Sequence, residues 1–108
     1  MLGKISEELR ERIIKSFMDV IILKELRNSA NMSGYDVITL LHRRFHMLLS
    51  AGSLYSTLYA MEREELVEGF VAGRKRVYKI TKKGEEKIQS ILRDIDNVHL
   101  LIEFMLGK

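Results

Sequence analysis

Residues 33–84 contain several short elements in an order that few small folds can accommodate. Two helix starts come first, followed by two short segments rich in Val, Phe, Tyr and Ile, and then a third helix start. The segments 66–71 and 76–81 flank an Ala-Gly-Arg-Lys turn at 72–75, which predicts a β-hairpin. Residues 74–83 carry six basic side chains and no acidic one. A patch of one charge sign points to an anionic partner.

Composition excludes several classes of protein. At 108 residues the chain has the length of one domain, residues 1–108, and it contains no cysteine for disulfides or a thiolate zinc site. The longest apolar run, Val20 to Leu23, is far too short to span a bilayer. Glycine-rich phosphate loops, nucleophile-elbow motifs and reactive thiols are missing. We therefore expect a cytoplasmic protein that has no cofactor and is not an enzyme.

Helical periodicity extends on both sides of the hairpin and its helices. Ser6 is a good N-cap, and residues 1–28 predict an N-terminal core and dimer helix. A second helix is expected from Lys82 to Leu106, about 37 Å long at 1.5 Å per residue. Its apolar residues step by three and four, as in a heptad seam: Ile88, Ile91, Ile95, Val98, Ile102 and Met105. Because a short chain has little core left to cover this stripe, we predict that residues 82–106 form a homodimer interface.

Two shorter helices precede the hairpin. Ser33 and Asp36 predict a capping box at the start of the first. The second should run from Ser50–Gly52 to about Glu65, with small residues on one side: Ser53, Ser56, Thr57 and Ala60. A side of small residues allows a helix to approach base edges in the major groove closely. Residues 33–81 thus predict a helix-turn-helix followed by a wing, in a mainly α fold with a small β-hairpin, the winged helix.

This fold suggests which side chains contact DNA. Tyr35 opens a helix beside free backbone amides, where a phosphate binds readily. Lys82 and Lys83 lie in the first turn of a helix, where the macrodipole disfavours cations unless an external anion is present. The predicted DNA-binding residues are Ser33, Tyr35, Ser53, Tyr55, Ser56, Thr57, Tyr59, Arg74, Lys75, Arg76, Lys82 and Lys83.

His42 and His46 have the i, i+4 spacing of a metal-binding pair. Two arginines lie between them, and no cysteine or carboxylate is close in sequence to complete a site. We interpret them as surface histidines beside DNA and predict no metal site.

Three segments, "SGYDVITLLHRRF", "AGSLYSTLYAMEREELVEG" and "RVYKITKKGEEKI", resemble the PadR-like winged-helix transcriptional regulators over about Val20 to Ile88. Tyr55 matches the tyrosine of the family's G-S-L-Y segment. The resemblance implies a repressor of the short branch, with one C-terminal helix, that binds double-stranded DNA and dimerises through its N- and C-terminal helices. It also implies a small hydrophobic or aromatic effector.

Other interpretations stay open. The same fold serves as a protein-interaction module in larger assemblies, with its wing toward an acidic partner and its small residues packed on protein. Double-stranded RNA is a third candidate partner. It is disfavoured, because its narrow, deep major groove excludes a helix. Ile91, Ile95, Val98, Ile102 and Met105 are compatible both with an effector pocket between subunits and with aliphatic packing.

Overall fold

The computed structural model describes residues 5–29, 31–46 and 50–107. The elements in chain order are α1 (Glu7–Ser16), α2 (Met18–Asn28), β1 (Met32–Ser33), α3 (Gly34–Phe45), α4 (Ala51–Arg63), β2 (Val67–Ala72), β3 (Lys75–Ile80), α5 (Lys82–Asp94) and α6 (Val98–Met105). A 3₁₀ turn, Ile95–Asn97, connects α5 to α6. This arrangement confirms the predicted mainly α architecture with a small β-hairpin.

A single hydrophobic core joins the helix-turn-helix to the hairpin. It is built from α2, α3, α4, α5 and the inner face of the sheet, and its most buried members are Ile22, Leu23, Val37, Leu41, Leu54, Leu58, Met61, Tyr78 and Ile88. Because α4 and β3 contribute to the same core, the wing is held at a defined position beside α4.

The sheet has the strand order β1-β3-β2 and is antiparallel throughout. The β2–β3 hairpin pairs Ala72 with Lys75, and Gly73 between them adopts a positive φ of 67° that favours glycine. Strand β2 begins and ends one residue later than predicted, and β3 begins and ends one residue earlier. Strand β1 was not predicted, because two residues are too few to show any periodicity. It pairs Ser33 with Val77 and so ties the start of α3 to the wing.

The two long terminal helices are each divided, which corrects the prediction of continuous helices. The first is interrupted at Phe17, where the chain enters the core. The second is interrupted by the 3₁₀ turn at Ile95–Asn97. Three residues at 120° instead of 100° rotate α6 by roughly 60° relative to α5. The heptad pattern is therefore continuous in the sequence but does not form one straight stripe.

Ile88 corrects the predicted dimer interface. The side chain is 0% exposed and packs in the core of its own chain. It is therefore unavailable to a partner subunit, and the prediction for this residue is wrong.

The start of helix α5 packs closely against Glu65 and Leu66, the two residues that precede β2. The Thr81 hydroxyl accepts a hydrogen bond from the Gly84 N–H at 3.0 Å and lies 2.6 Å from the Glu65 carbonyl, to which it donates. A Cβ at Gly84 would meet the Leu66 carbonyl oxygen and lie 2.8 Å from the Ile80 side chain. Glycine is thus required here for packing.

Candidate nucleic-acid interface

The start of α3 is held by the predicted capping box. The Asp36 N–H donates to the Ser33 hydroxyl at 3.1 Å, and the Ser33 N–H donates to the Asp36 carboxylate at 3.0 Å. The hydrogen bond from the Ser33 backbone is the main cause that lowers the pKa of Asp36; the Ser33 hydroxyl and the charge of Lys75 act in the same direction. Ser33 is only 4% exposed. Its hydroxyl caps the helix from inside the protein, so this side chain does not support the predicted DNA contact of Ser33, which stays a prediction.

Two predicted tyrosines lie at this helix start. Tyr35 is 70% exposed, and Tyr55 packs its ring on Gly34, where a Cβ would be 2.5 Å from the ring. A surface cavity of about 210 Å³ lies here, lined by Ser33, Gly34, Tyr35, Tyr55, Lys75 and Arg76. The structure thus brings the start of α3, one residue of α4 and the wing together. The first amides of α3 and the Lys75 ammonium favour an anion in this cavity, whereas the Asp36 carboxylate at the same helix start disfavours one.

Helix α4 presents its outward side in two parts. Gly52, Ser56, Tyr59 and Arg63 are exposed and follow one another at helical spacing. Ser53 is also exposed, and its N–H donates to the hydroxyl of the N-cap Ser50 at 3.0 Å. We call the four residues Gly52, Ser56, Tyr59 and Arg63 the α4 stripe.

The other part of the small-residue side faces a groove. Thr57 is half-buried, and its hydroxyl donates to the Ser53 carbonyl at 3.1 Å. With Ser56 and Ala60 it borders a groove of about 340 Å³ whose opposite wall is the α1–α2 junction, from Lys15 to Asp19. The predicted side of small residues is thus only partly open for contact with a nucleic acid.

Arg63 is a candidate that sequence reasoning missed. It lies four residues after Tyr59 and seven after Ser56, so helical spacing from these two residues would have identified it. It adds a cation to the end of the α4 stripe.

Three exposed cations lie at the turn end of the wing, and Arg76 among them forms an ion pair. Arg74 and Lys75 are exposed at the hairpin turn. Arg76 points toward α4, where its guanidinium lies 2.5 Å from the Glu62 carboxylate. The Tyr78 hydroxyl and then the Glu62 carboxylate raise the pKa of Arg76, while burial raises the pKa of Tyr78. Sequence reasoning listed Arg76 as a DNA contact and missed its partner Glu62.

Lys82 and Lys83 do not join the wing turn. They are exposed at the start of α5, beyond the far end of β3. The remaining five residues of β3 and Thr81 separate them from Lys75, a distance of about 20 Å. The basic run of the sequence is therefore two separate clusters in the structure.

The terminal helices expose apolar side chains on their surface. In α6 and its end these are Leu100, Leu101, Ile102, Phe104, Met105 and Leu106; Leu92 and Ile95 precede them, and Ile5, Leu9 and Ile13 lie in and before α1. Of the predicted interface residues, Ile95, Ile102 and Met105 are exposed, whereas Ile91 and Val98 are half-buried.

The residues that the structure describes contain neither a candidate metal site nor a membrane-spanning helix. His42 and His46 are both exposed, and no group of three His, Asp or Glu side chains is placed to hold a metal ion. No helix in these ranges has the length and apolar character needed to cross a bilayer.

The sequence profile described as "Transcriptional regulator PadR-like family" matches residues 22–90, which include α3, α4 and the wing. The chain belongs to this family. Comparison with curated proteins gives no match.

Solved structures agree with this assignment. A PadR-like transcriptional regulator from Bacillus cereus strain ATCC 14579 has 26% identity and a TM-score of 0.74, over 90% of this chain and 98% of that chain. A winged-helix DNA-binding protein from STIV has 21% identity and a TM-score of 0.65, over 73% and 87%. Bacillus subtilis PadR in complex with operator DNA has 21% identity and a TM-score of 0.59, over 69% and 46%. The last two similarities show only that the fold is shared.

Family membership confirms the predicted winged-helix fold and PadR-like relationship. PadR-like proteins are transcriptional regulators that bind DNA and are not enzymes. The chain is thus a transcriptional regulator.

Proposed function

We propose that this PadR-like protein is a cytoplasmic homodimer that represses transcription by binding a near-palindromic operator in double-stranded DNA. The observation that supports this most directly is the α4 stripe, which is exposed beside the cationic wing turn and the open start of α3. Tyr55 connects them, because it lines the cavity with Tyr35 and Lys75 and its ring centre lies 6.1 Å from that of Tyr59 in the α4 stripe.

Each element of this surface has a distinct role in the proposal. Ser56 and Tyr59 of α4 would read base edges in the major groove, and the small serine allows close approach. Arg74 and Lys75 would contact phosphates beside that groove or the adjacent minor groove. Tyr35 would position the phosphate backbone at the amides that open α3.

The exposed apolar residues of the terminal helices support a dimer. Ile5, Leu9 and Ile13 lie at one end of the chain, and the α6 surface lies at the other. A two-fold axis through these helices would place two copies of α4 symmetrically. The operator should then have half-sites one or more helical turns apart, about 34 Å for each turn. Repression would follow from steric exclusion of polymerase.

The small hydrophobic effector that the resemblance implies stays a prediction. The exposed aliphatic residues Ile95, Ile102 and Met105 would line such a site between subunits. Aliphatic packing across the dimer would use the same residues.

The test is selection of bound sequences from a random duplex pool, combined with salt titration of affinity. A regulator should enrich a near-palindrome and bind random duplex with a steep salt dependence. Arg74→Ala should weaken all sequences similarly, whereas Ser56→Ala should change the preferred bases. A protein that binds no duplex even in dilute buffer would instead be a protein-interaction module.

A further inference from the structure

The ion pair between Glu62 and Arg76 connects α4 to the wing. One guanidinium nitrogen of Arg76 lies 2.5 Å from a carboxylate oxygen of Glu62, and the two side chains are 45% and 28% exposed. The pair therefore lies in the cleft between the two elements that we propose to hold DNA.

Two further contacts fix the Arg76 side chain in this cleft. The guanidinium lies over Gly69 of β2, where a Cβ would be 2.7 Å from its terminal nitrogen. Its central carbon is also 5.8 Å from the centre of the Tyr78 ring, close enough for a cation–π interaction. The absence of a side chain at Gly69 and the buried ring of Tyr78 together direct Arg76 toward Glu62.

Arg76 is nonetheless close to the surface expected to contact phosphate. It borders the same cavity as Tyr35, Tyr55 and Lys75. A cation that is already neutralised by a carboxylate displaces no counterion from DNA, whereas a free one adds about 0.9 to the slope of log affinity against log salt. The state of this one pair therefore changes how strongly the protein binds any DNA.

We propose that Glu62 determines specificity by withholding Arg76 from the phosphate backbone and by fixing the wing against α4. The inference rests on the proposed DNA binding. Non-specific affinity comes almost entirely from phosphate contacts, so a freed Arg76 raises binding to random duplex. We expect binding to the operator to gain less, because loss of the ion pair also removes a contact that fixes the position of the wing against α4. The ratio of specific to non-specific affinity falls as a result.

The experiment compares Glu62→Gln with the wild-type protein by fluorescence anisotropy, on random duplex and on the selected operator. In the variant, the salt slope on random duplex should steepen by about 0.9, which means about 3.5-fold more affinity lost over a fourfold rise in salt. The affinity ratio of operator to random duplex should fall. An unchanged slope in a variant of a protein that does bind DNA overturns this inference alone. A wild-type protein that binds no duplex overturns the proposed function as well.

Glu68→Gln is the matched control. Glu68 lies in β2 of the hairpin and, like Glu62, pairs with a cation, Lys79, at 3.8 Å; its replacement changes the net charge by the same amount. On the strand, Lys79 points to the face opposite Arg76. Equal slopes in the two variants would mean an effect of net charge, which contradicts the proposal.

The double variant Glu62→Gln/Arg76→Gln assigns the added contact. It should return the slope to the wild-type value, because the extra phosphate contact belongs to Arg76. A slope that stays steep would overturn the assignment. Glu62→Asp is the alternative variant if Glu62→Gln fails to fold. It keeps the negative charge but moves the carboxylate away from Arg76, so its salt slope should lie between those of the wild type and of a protein without the pair. The chemical shift of the Arg76 guanidinium shows whether the ion pair is lost in Glu62→Asp. If the pair is lost and the salt slope is still that of the wild type, the proposal is contradicted.

Discussion

Phe104→Ala should weaken the proposed dimer, because Phe104 has the most exposed large apolar side chain of the terminal helices. Its residue is 81% exposed in the single chain. An aromatic side chain presents 150–250 Å², so roughly 120–200 Å² of the ring is available to a partner. At about 25 cal/mol per Å², complete coverage would contribute roughly 3–5 kcal/mol for each subunit.

The expected loss is smaller than this upper limit. Alanine retains part of the area, and a residue near a chain end is covered incompletely at an interface rim. A symmetric dimer nevertheless loses two rings. We therefore expect a weakening of about 3 kcal/mol, on the order of 100-fold in the dimer dissociation constant.

Sedimentation equilibrium over a range of concentrations measures this constant directly. Val71→Ala is the matched control, because Val71 is an exposed apolar residue on the wing, away from the terminal helices. Operator affinity should fall with dimerisation in Phe104→Ala. A wild-type dimer that Phe104→Ala leaves unchanged would refute the placement of the interface on α6, and a wild-type monomer at micromolar concentration would refute the dimer itself.

Three further predictions concern stability and affinity. Gly84→Ala should lower the free energy of unfolding, measured by urea denaturation, by about 1–3 kcal/mol, because the added Cβ would overpack against the Leu66 carbonyl. The control is Gly52→Ala, which has open space at its Cβ and should be neutral or slightly stabilising. The lowered pKa of Asp36 means that its charged form stabilises the fold above its unfolded pKa of about 3.9 and that this contribution is lost as pH falls through the lower folded pKa. Asp36→Asn should accordingly be less stable than wild type near neutral pH, and the gap should narrow below about pH 4 in urea titrations; a constant gap would contradict the linkage. Lys75→Gln should reduce the salt slope of DNA binding by about 0.9 and weaken all sequences alike, and an effect confined to some sequences would argue for base contact instead.

Local chemistry was sufficient to predict most of the fold. The capping box of Ser33 and Asp36 and the cap at Thr81 depend on residues three apart in the chain, so the sequence contains everything that forms them. The hairpin follows in the same way from two β-rich segments around Gly73. Strand β1 and the interruptions at Phe17 and Ile95–Asn97 were missed, because each depends on what the chain packs against rather than on a breaker residue.

The candidate site was predictable to a smaller extent. Ser56 was predicted from the side of small residues and Tyr59 as an aromatic contact, whereas helical spacing from these two residues would also have included Arg63. The interpretation of basic residues as one patch failed at Arg76, which is paired with Glu62, and at Lys82 and Lys83, which lie about 20 Å of strand away from the turn.

Element order, caps, turn chemistry and total charge can be read from the chain of this PadR-like regulator, because each arises from neighbours within a few residues. Packing alone settled which cations stay free, since Arg76 meets Glu62 across fourteen residues through a space that Gly69 leaves open. Packing also buried Ile88 in the core while leaving Met105 exposed, although both belong to the same heptad series in the sequence. Charge and apolar character are properties of residues, but their availability to a partner depends on the folded arrangement around them.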